Sequence, residues 1–330
     1  MRRWAAGVLA LLLAGCGSAK EKPIHIGVAP GLTESFLVFL ARELGYFRDE
    51  GLDVAFDEFQ GAHLIESLVT GSSDAAYVTF RNTFLAAAHG RPVKSFFLGA
   101  ETLSAMLVVC EKKAAQLRRV ENLKGTTIGM AGFGTAQQEY LQYILSRSGF
   151  TLADVTLVAY GTGPSAIAAL QYGKVDAGII NGSAFAILRR RAPGVRVLVD
   201  PRTRQGTRDL TGLDTFPDWA LASTAAWLER DPSVARKLTN AMVRTLRWVR
   251  AHTAEEVRDR LPVQFRTEDK EADLETLRII IEGASKDGRM PPGGPEGVRS
   301  FVAATNGDVR NTKIDLAATY TNQFVDEVSK

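Results

Sequence analysis

The sequence predicts an α/β fold of two lobes, each a mostly parallel sheet flanked by helices, and three observations predict it. Short β-like runs alternate with helix-like runs through the first part of the chain, which argues parallel strands covered by helices. A block of that pattern recurs at a shift of 102 positions, from Ile26 to Ile128. The last part has no strand-like runs of its own and reads as helices that must pack on a lobe already built.

Taken in order, the chain opens with Met1-Arg2-Arg3, an apolar stretch over 4–13 and then Leu13-Ala14-Gly15-Cys16. A basic start, a short apolar core and small residues before the cut define an export signal over 1–15, whereas a membrane-spanning anchor needs about 20 apolar residues. Leu13-Ala14-Gly15-Cys16 resembles the bacterial lipobox, which implies cleavage before Cys16 and lipid on that cysteine. Residues 16–23 are then a small, polar, lipid-anchored tether.

Strands are expected at 24–29, 52–59, 75–79, 126–131, 154–160 and 177–180, with helices at 36–44, 64–69, 140–145 and 166–170. Ile26-Gly27-Val28-Ala29 recurs as Ile128-Gly129-Met130-Ala131, and the same shift sets Gly61 on Gly163, Leu68 on Leu170, Gly71 on Gly173 and Asp74 on Asp176. One constant offset over several strand-turn-helix units argues two lobes on one plan. Long amphipathic helices follow at 232–252 and 269–285, then the turn-rich 291–295, then a last helix at about 314–328. If these helices return to the lobe that began the chain, the first lobe is 24–100 plus 217–330 and the second 101–216. The chain then crosses twice, near 98–105 and 211–221, and makes a two-segment hinge.

Composition excludes several functions. The formal charge is +3, or +1 once Arg2 and Arg3 leave with the signal, so no basic footprint for nucleic acid exists. Arg189-Arg190-Arg191 sits where cations complement the end of a helix. With Cys16 lipidated, Cys110 has no partner for a disulfide, and the apolar run before it makes it a buried thiol. G-x-S-x-G, Walker, H-E-x-x-H and C-x-x-C motifs are all missing, and the four histidines are too scattered for a metal site, so neither catalysis nor a cofactor nor a metal is expected. Of these histidines His63 is the one placed to reach a cleft. Gly161-Thr162-Gly163-Pro164-Ser165-Ala166 fits a dinucleotide fingerprint, but Asn181 stands where the ribose-binding acid is needed, and the repeat accounts for the glycines.

In open α/β sheets ligands lie beyond the carboxyl ends of the strands, against helix N-termini. Six strand-to-helix turns rich in small and hydroxyl residues nominate Thr33, Glu34, Gln60, Gly61, Thr79, Arg81, Asn82, Gly134, Thr135, Thr162, Gly163 and Asn181. Helix capping is the ordinary role for any one such Ser, Thr or Asn. Asp214 and Trp219 join the candidates at the second crossing. Arg81 is the sharpest, since a guanidinium can hold a sulfonate or carboxylate through two parallel hydrogen bonds. Phe36, Phe80, Phe133, Phe185 and Phe216 lie in or near these turns as core or as cover for an apolar ligand.

The run Phe39-Leu40-Ala41-Arg42-Glu43-Leu44-Gly45-Tyr46-Phe47-Arg48-Asp49-Glu50-Gly51 and the following Leu52-Asp53-Val54 resemble the nitrate, sulfonate and taurine receptor family, which also contains thiamine-pyrimidine binders. The likeness continues through Phe59-Gln60-Gly61, Leu68-Val69-Thr70-Gly71-Ser72-Ser73-Asp74, Gly90-Arg91-Pro92-Val93 and Leu123-Lys124-Gly125-Thr126-Thr127-Ile128-Gly129, and covers about 24–186. It implies a type II-like periplasmic-binding-protein fold that closes by a hinge on its ligand. It further implies an exported monomer serving an ABC permease and its ATPase, with a small organic ligand, an anion such as a sulfonate or carboxylate being expected. A sensor feeding a signalling partner, a binder of a thiamine-pyrimidine precursor or other neutral aromatic, and an exported enzyme remain alternatives. The fungal pyrimidine synthases of similar fold have a cysteine-rich motif that this chain lacks.

Overall fold

The computed structural model describes residues 22–59, 63–91 and 93–328. The signal 1–15 and Cys16, like Gln60, Gly61 and Pro92, lie outside the described residues. The first part of the chain runs β1 (Ile24–Val28), α1 (Leu32–Glu43), α2 (Tyr46–Asp49), β2 (Val54–Glu58), α3 (His63–Thr70), β3 (Ala75–Thr79), α4 (Arg81–Ala88) and β4 (Val93–Leu98). The second runs β5 (Ala105–Val109), β6 (Thr127–Met130), α5 (Ala136–Arg147), β7 (Thr156–Ala159), α6 (Pro164–Gln171), β8 (Ala177–Asn181), α7 (Gly182–Arg191), β9 (Arg196–Val199) and α8 (Arg204–Thr211). Then come β10 (Trp219–Thr224), α9 (Ala225–Arg230), α10 (Pro232–Ala251), α11 (Ala254–Arg260), α12 (Lys270–Gly283), α13 (Gly294–Thr305), α14 (Gly307–Asn311) and α15 (Gln323–Val328).

The strands form two five-stranded sheets, ordered β2-β1-β3-β10-β4 and β7-β6-β8-β5-β9. Four strands of each sheet run one way and the fifth runs against them: β10 is antiparallel to β3 and β4, and β5 to β8 and β9. Each reversed strand is the first after the chain has crossed between lobes. An antiparallel entry follows, because the chain arrives at the end where the parallel strands finish.

The repeat seen in the sequence is built into the register. Ile26 faces Ala75 in one sheet and Ile128 faces Ala177 in the other. The His25 N–H donates to Asp74 Oδ2 at 2.9 Å, and 102 positions on the Thr127 N–H donates to Asp176 Oδ2 at 2.9 Å. A carboxylate in the turn before the third strand thus holds the start of the first strand in both lobes, which fixes register where a one-residue slip would turn every side chain over.

All six expected strands form, but β4, β5, β9 and β10 were not foreseen. The C-terminal helices reach beyond the first sheet. α10 packs on α1, α2 and α15 over the first sheet, whereas α12 packs on α7 and α13 on both α4 and α5. As a set these helices therefore make contacts with elements of both lobes. The long last helix expected over 314–328 is broken: Ser95 N–H donates to Thr319 O at 2.9 Å and Thr321 N–H to Ser95 O at 2.8 Å. The stretch around Tyr320 lies extended beside β4, because the open edge of that strand offers backbone partners that a helix would deny it. One apolar cluster joins Leu98 of the first sheet and Leu107 and Ile128 of the second with Phe216 and Phe301, so the hinge side is packed as core. Among the described residues no helix is long and apolar enough to cross a membrane. Cys110 is buried, and burial raises its thiol pKa above the usual value.

Candidate ligand-binding site

Where the lobes meet, beyond the carboxyl ends of β3 and β8, lies a chamber of about 140 Å³. Thr79 and Arg81 enter it from the β3–α4 turn, Asn181 from the end of β8, and Asp218 and Trp219 from the start of β10. The antiparallel pairing of β10 with β3 sets Trp219 opposite Thr79, so one backbone ladder delivers both sides of the first lobe's wall. Gln137 and Tyr140 from α5, Phe216 and Phe301 complete the lining. A smaller space of about 40 Å³ adjoins behind Trp219, sharing Leu103 and Ser104 with the chamber and reaching Arg202 and Gly283.

Four aromatic rings, Tyr140, Phe216, Trp219 and Phe301, line the walls. Trp219 stacks on Tyr77 at 5.8 Å, and Phe301 meets Phe216 edge-on at 5.1 Å and Tyr143 at 4.2 Å. Two donors stand out, the Tyr140 hydroxyl and the Trp219 indole N–H. Both residues are buried, at 4% and 8% exposure, and neither group has an acceptor among the described residues. Burial, and behind it the Asp200 carboxylate, pushes the Tyr140 phenol well above its usual range, so it stays a proton donor. An unmet buried donor costs about 1–3 kcal/mol, and such groups lining a cavity mark where a ligand acceptor belongs.

Arg81 is where the sequence analysis placed it, but its guanidinium is engaged. Nε donates to Glu139 Oε2 at 2.8 Å, Nη2 pairs with Glu139 Oε1, and Nη1 donates to Asn82 Oδ1 at 3.1 Å. The Asn82 amide in turn donates to Thr79 Oγ1 at 3.2 Å. Glu139 stands on α5, so the pair bridges the lobes, and its side chains are only 11% and 13% exposed.

Other candidates are placed less centrally. Asn181 caps α7, its Oδ1 accepting from Ala184 N–H at 3.0 Å, while also lining the chamber. Thr162 and Gly163 flank a tight crevice with Gln137 and Asn181 that has no room for a ligand atom. Gly134 turns with φ 71° before α5, and Thr135, at the N-cap, donates its hydroxyl to Gly132 O at 2.7 Å. Thr33 and Glu34 lie in the first turn of α1, with side chains outside the described ones. Asp214 is paired with Arg208 and 80% exposed. His63 is exposed and paired with Glu66. Arg189 and Arg190 end α7 as expected and tie it to Glu275 and Asp269. Phe133 is 67% exposed, while Phe36, Phe80 and Phe185 are core.

Tyr140, Gln137, Asp218 and Phe301 were not nominated from the sequence. The first two belong to a helix whose apolar spacing reads as core, and Phe301 arrives from a helix far along the chain. Asp218 carried a signal, lying beside the nominated Trp219.

Residues 33–256 match the family described as NMT1/THI5 like. A riboflavin-binding protein, RibY, of Chloroflexus aurantiacus is 28% identical over 253 residues, 74% of this chain and 66% of that protein. The 4-amino-5-hydroxymethyl-2-methylpyrimidine phosphate synthase of Schizosaccharomyces pombe is 30% identical over 43% of this chain and 40% of its own length. The match thus spans less than two thirds of either curated relative. Among solved structures, a Bordetella bronchiseptica RB50 protein is 26% identical with a TM-score of 0.83, covering 93% of this chain and 96% of that one. The alkanesulfonate-binding protein SsuA of Xanthomonas axonopodis pv. citri, bound to MOPS, is 19% identical with a TM-score of 0.68, covering 91% and 98%. At that identity the likeness is one of fold.

Proposed function

Since this chain belongs to the NMT1/THI5-like family, we propose that it is the exported solute-binding component of an ABC importer, held to a membrane by lipid on Cys16. Its lobes close on a small organic ligand, and the closed form is what a permease and its ATPase receive. The observation behind this reading is the interlobe chamber, lined by four aromatic rings and furnished with two donors that meet no acceptor among the described residues. No group in it is arranged as nucleophile and base, so the reading contains no catalytic step.

The same walls favour one class of ligand. About 140 Å³ falls below the roughly 300–1,000 Å³ of sites for drug-sized molecules, which suits a single ring better than a flavin. Tyr140 and Trp219 call for acceptors on that ring, and the aromatic cover calls for a flat face. An uncharged heteroaromatic ligand therefore fits better than the sulfonate or carboxylate expected from Arg81, whose fork Glu139 already fills.

Thermal unfolding of the chain from Gly17 onward tests this against pyrimidines, flavins, aromatic carboxylates, alkanesulfonates and nitrate. A ligand at a hundred times its Kd adds about 2.7 kcal/mol to stability. A selective rise with pyrimidine-sized heteroaromatics, weakened in Tyr140→Phe, is the expected result. A rise with alkanesulfonates alone would reject the ligand class and keep the binding-protein reading. For the anchor, Cys16→Ser should move the protein from the membrane to the soluble fraction, and a membrane-bound variant would reject it.

A further inference from the structure

Among the described residues Arg81 is the only basic one lining the 140 Å³ chamber, and its guanidinium is engaged on two sides by protein groups. Nε and Nη2 meet the two oxygens of Glu139, and Nη1 meets Asn82. Glu139 has presented to Arg81 the fork-to-fork geometry that a ligand carboxylate or sulfonate would otherwise offer. Both side chains are nearly nine-tenths buried, so water does not weaken the pair as it does an exposed one.

We propose that Glu139 is a specificity-determining residue: it acts as an internal anion that occupies Arg81 and bars anionic ligands from the chamber. A dissolved anion must displace a carboxylate held in place by α5, whose effective concentration is at least millimolar. It must also leave that carboxylate buried beside a second negative group, and Asp218 already lines the same space. Discrimination here comes from a repulsive element set against the wrong ligand. The inference rests on the chamber being the ligand site, and it adds what the chamber refuses.

The test is calorimetric titration with benzenesulfonate and benzoate of the wild type, Glu139→Gln, Glu139→Ala and the double variant Arg81→Gln/Glu139→Gln. Circular dichroism and the melting temperature of each verify the fold. Glu139→Gln and Glu139→Ala are expected to bind benzenesulfonate at least tenfold more tightly than the wild type, and the double variant is expected to lose that gain. Folded Glu139 variants that gain nothing overturn the proposal, as does a gain that survives the loss of Arg81. Failure of the chamber reading shows separately: neutral heteroaromatics would then bind with an affinity that Tyr140→Phe and Trp219→Phe leave unchanged.

Discussion

Two tyrosine hydroxyls, both buried, stand in opposite positions. Tyr160 donates to Ile179 O at 2.6 Å, while the Tyr140 hydroxyl has no acceptor among the described residues. Burial raises both phenols above their usual range, so both are donors at any working pH. Removing Tyr160's hydroxyl deletes a made bond and leaves a buried carbonyl short, and Tyr160→Phe should cost about 1–2 kcal/mol. Removing Tyr140's relieves an unmet group, so Tyr140→Phe should leave the ligand-free protein as stable as before or about 1 kcal/mol more so. The same change should weaken binding of the cognate ligand about tenfold. Denaturant unfolding of the two variants decides it, and equal destabilisation would show that Tyr140 is an ordinary core residue. Neither role is legible from sequence, where both residues follow the apolar spacing of their elements. Thr79, Arg81, Asn181 and Trp219, which line the chamber, were legible as candidates because they sit at strand ends or at a crossing, where topology alone directs a search.

At the scale of elements, the duplicated glycines show one sequence pattern kept for different reasons. Gly27 of β1 and Gly129 of β6 are matched by the shift of 102. A Cβ at Gly27 would sit 3.3 Å from Ala76 Cβ, Ser67 Oγ and Ser73 Oγ, but at Gly129 it would fall 1.9 Å from the Tyr160 ring. Small hydroxyls can shift by tenths of an ångström, whereas a ring pinned by its bond to Ile179 cannot. Gly129→Ala should therefore cost about 2–3 kcal/mol through overpacking, and Gly27→Ala less than about 1 kcal/mol. Equal midpoint shifts in urea would mean that the second lobe yields more easily than its packing implies. The strands that local pattern missed differ: β5, Ala105-Met106-Leu107-Val108-Val109, carries strand-forming residues, whereas β10 carries few. β10, Trp219-Ala220-Leu221-Ala222-Ser223-Thr224, has two alanines and no β-branched residue before Thr224, and takes its form from β3 and β4 on either side. Likewise the segment around Tyr320 has helical spacing and yields to the edge of β4.

For the whole molecule the Arg81–Glu139 pair matters as a contact between lobes. The hinge has its own clamp in buried Glu101, which accepts from Arg204 Nη1 at 2.7 Å and from Ser285 Oγ at 3.0 Å. If the lobes part by the hinge motion proposed above, that clamp, lying beside the crossing, can persist, whereas Arg81 and Glu139 must separate. Glu139→Gln leaves an uncompensated cation wherever the lobes stay together, at a cost of about 3–5 kcal/mol, and opening returns Arg81 to water. A penalty of that size exceeds a hundredfold in the closed-to-open ratio. Distances between spin labels placed on the two lobes should therefore lengthen in ligand-free Glu139→Gln and return toward the wild type in the charge swap Arg81→Glu/Glu139→Arg. Unchanged distances would mean that the packed hinge, not the ion pair, sets closure. Apparent affinity falls with the fraction of competent closed form, so a neutral ligand should bind Glu139→Gln more weakly than the wild type. Benzenesulfonate should behave in the opposite way, because it restores the negative charge beside Arg81 and draws the two lobes together again.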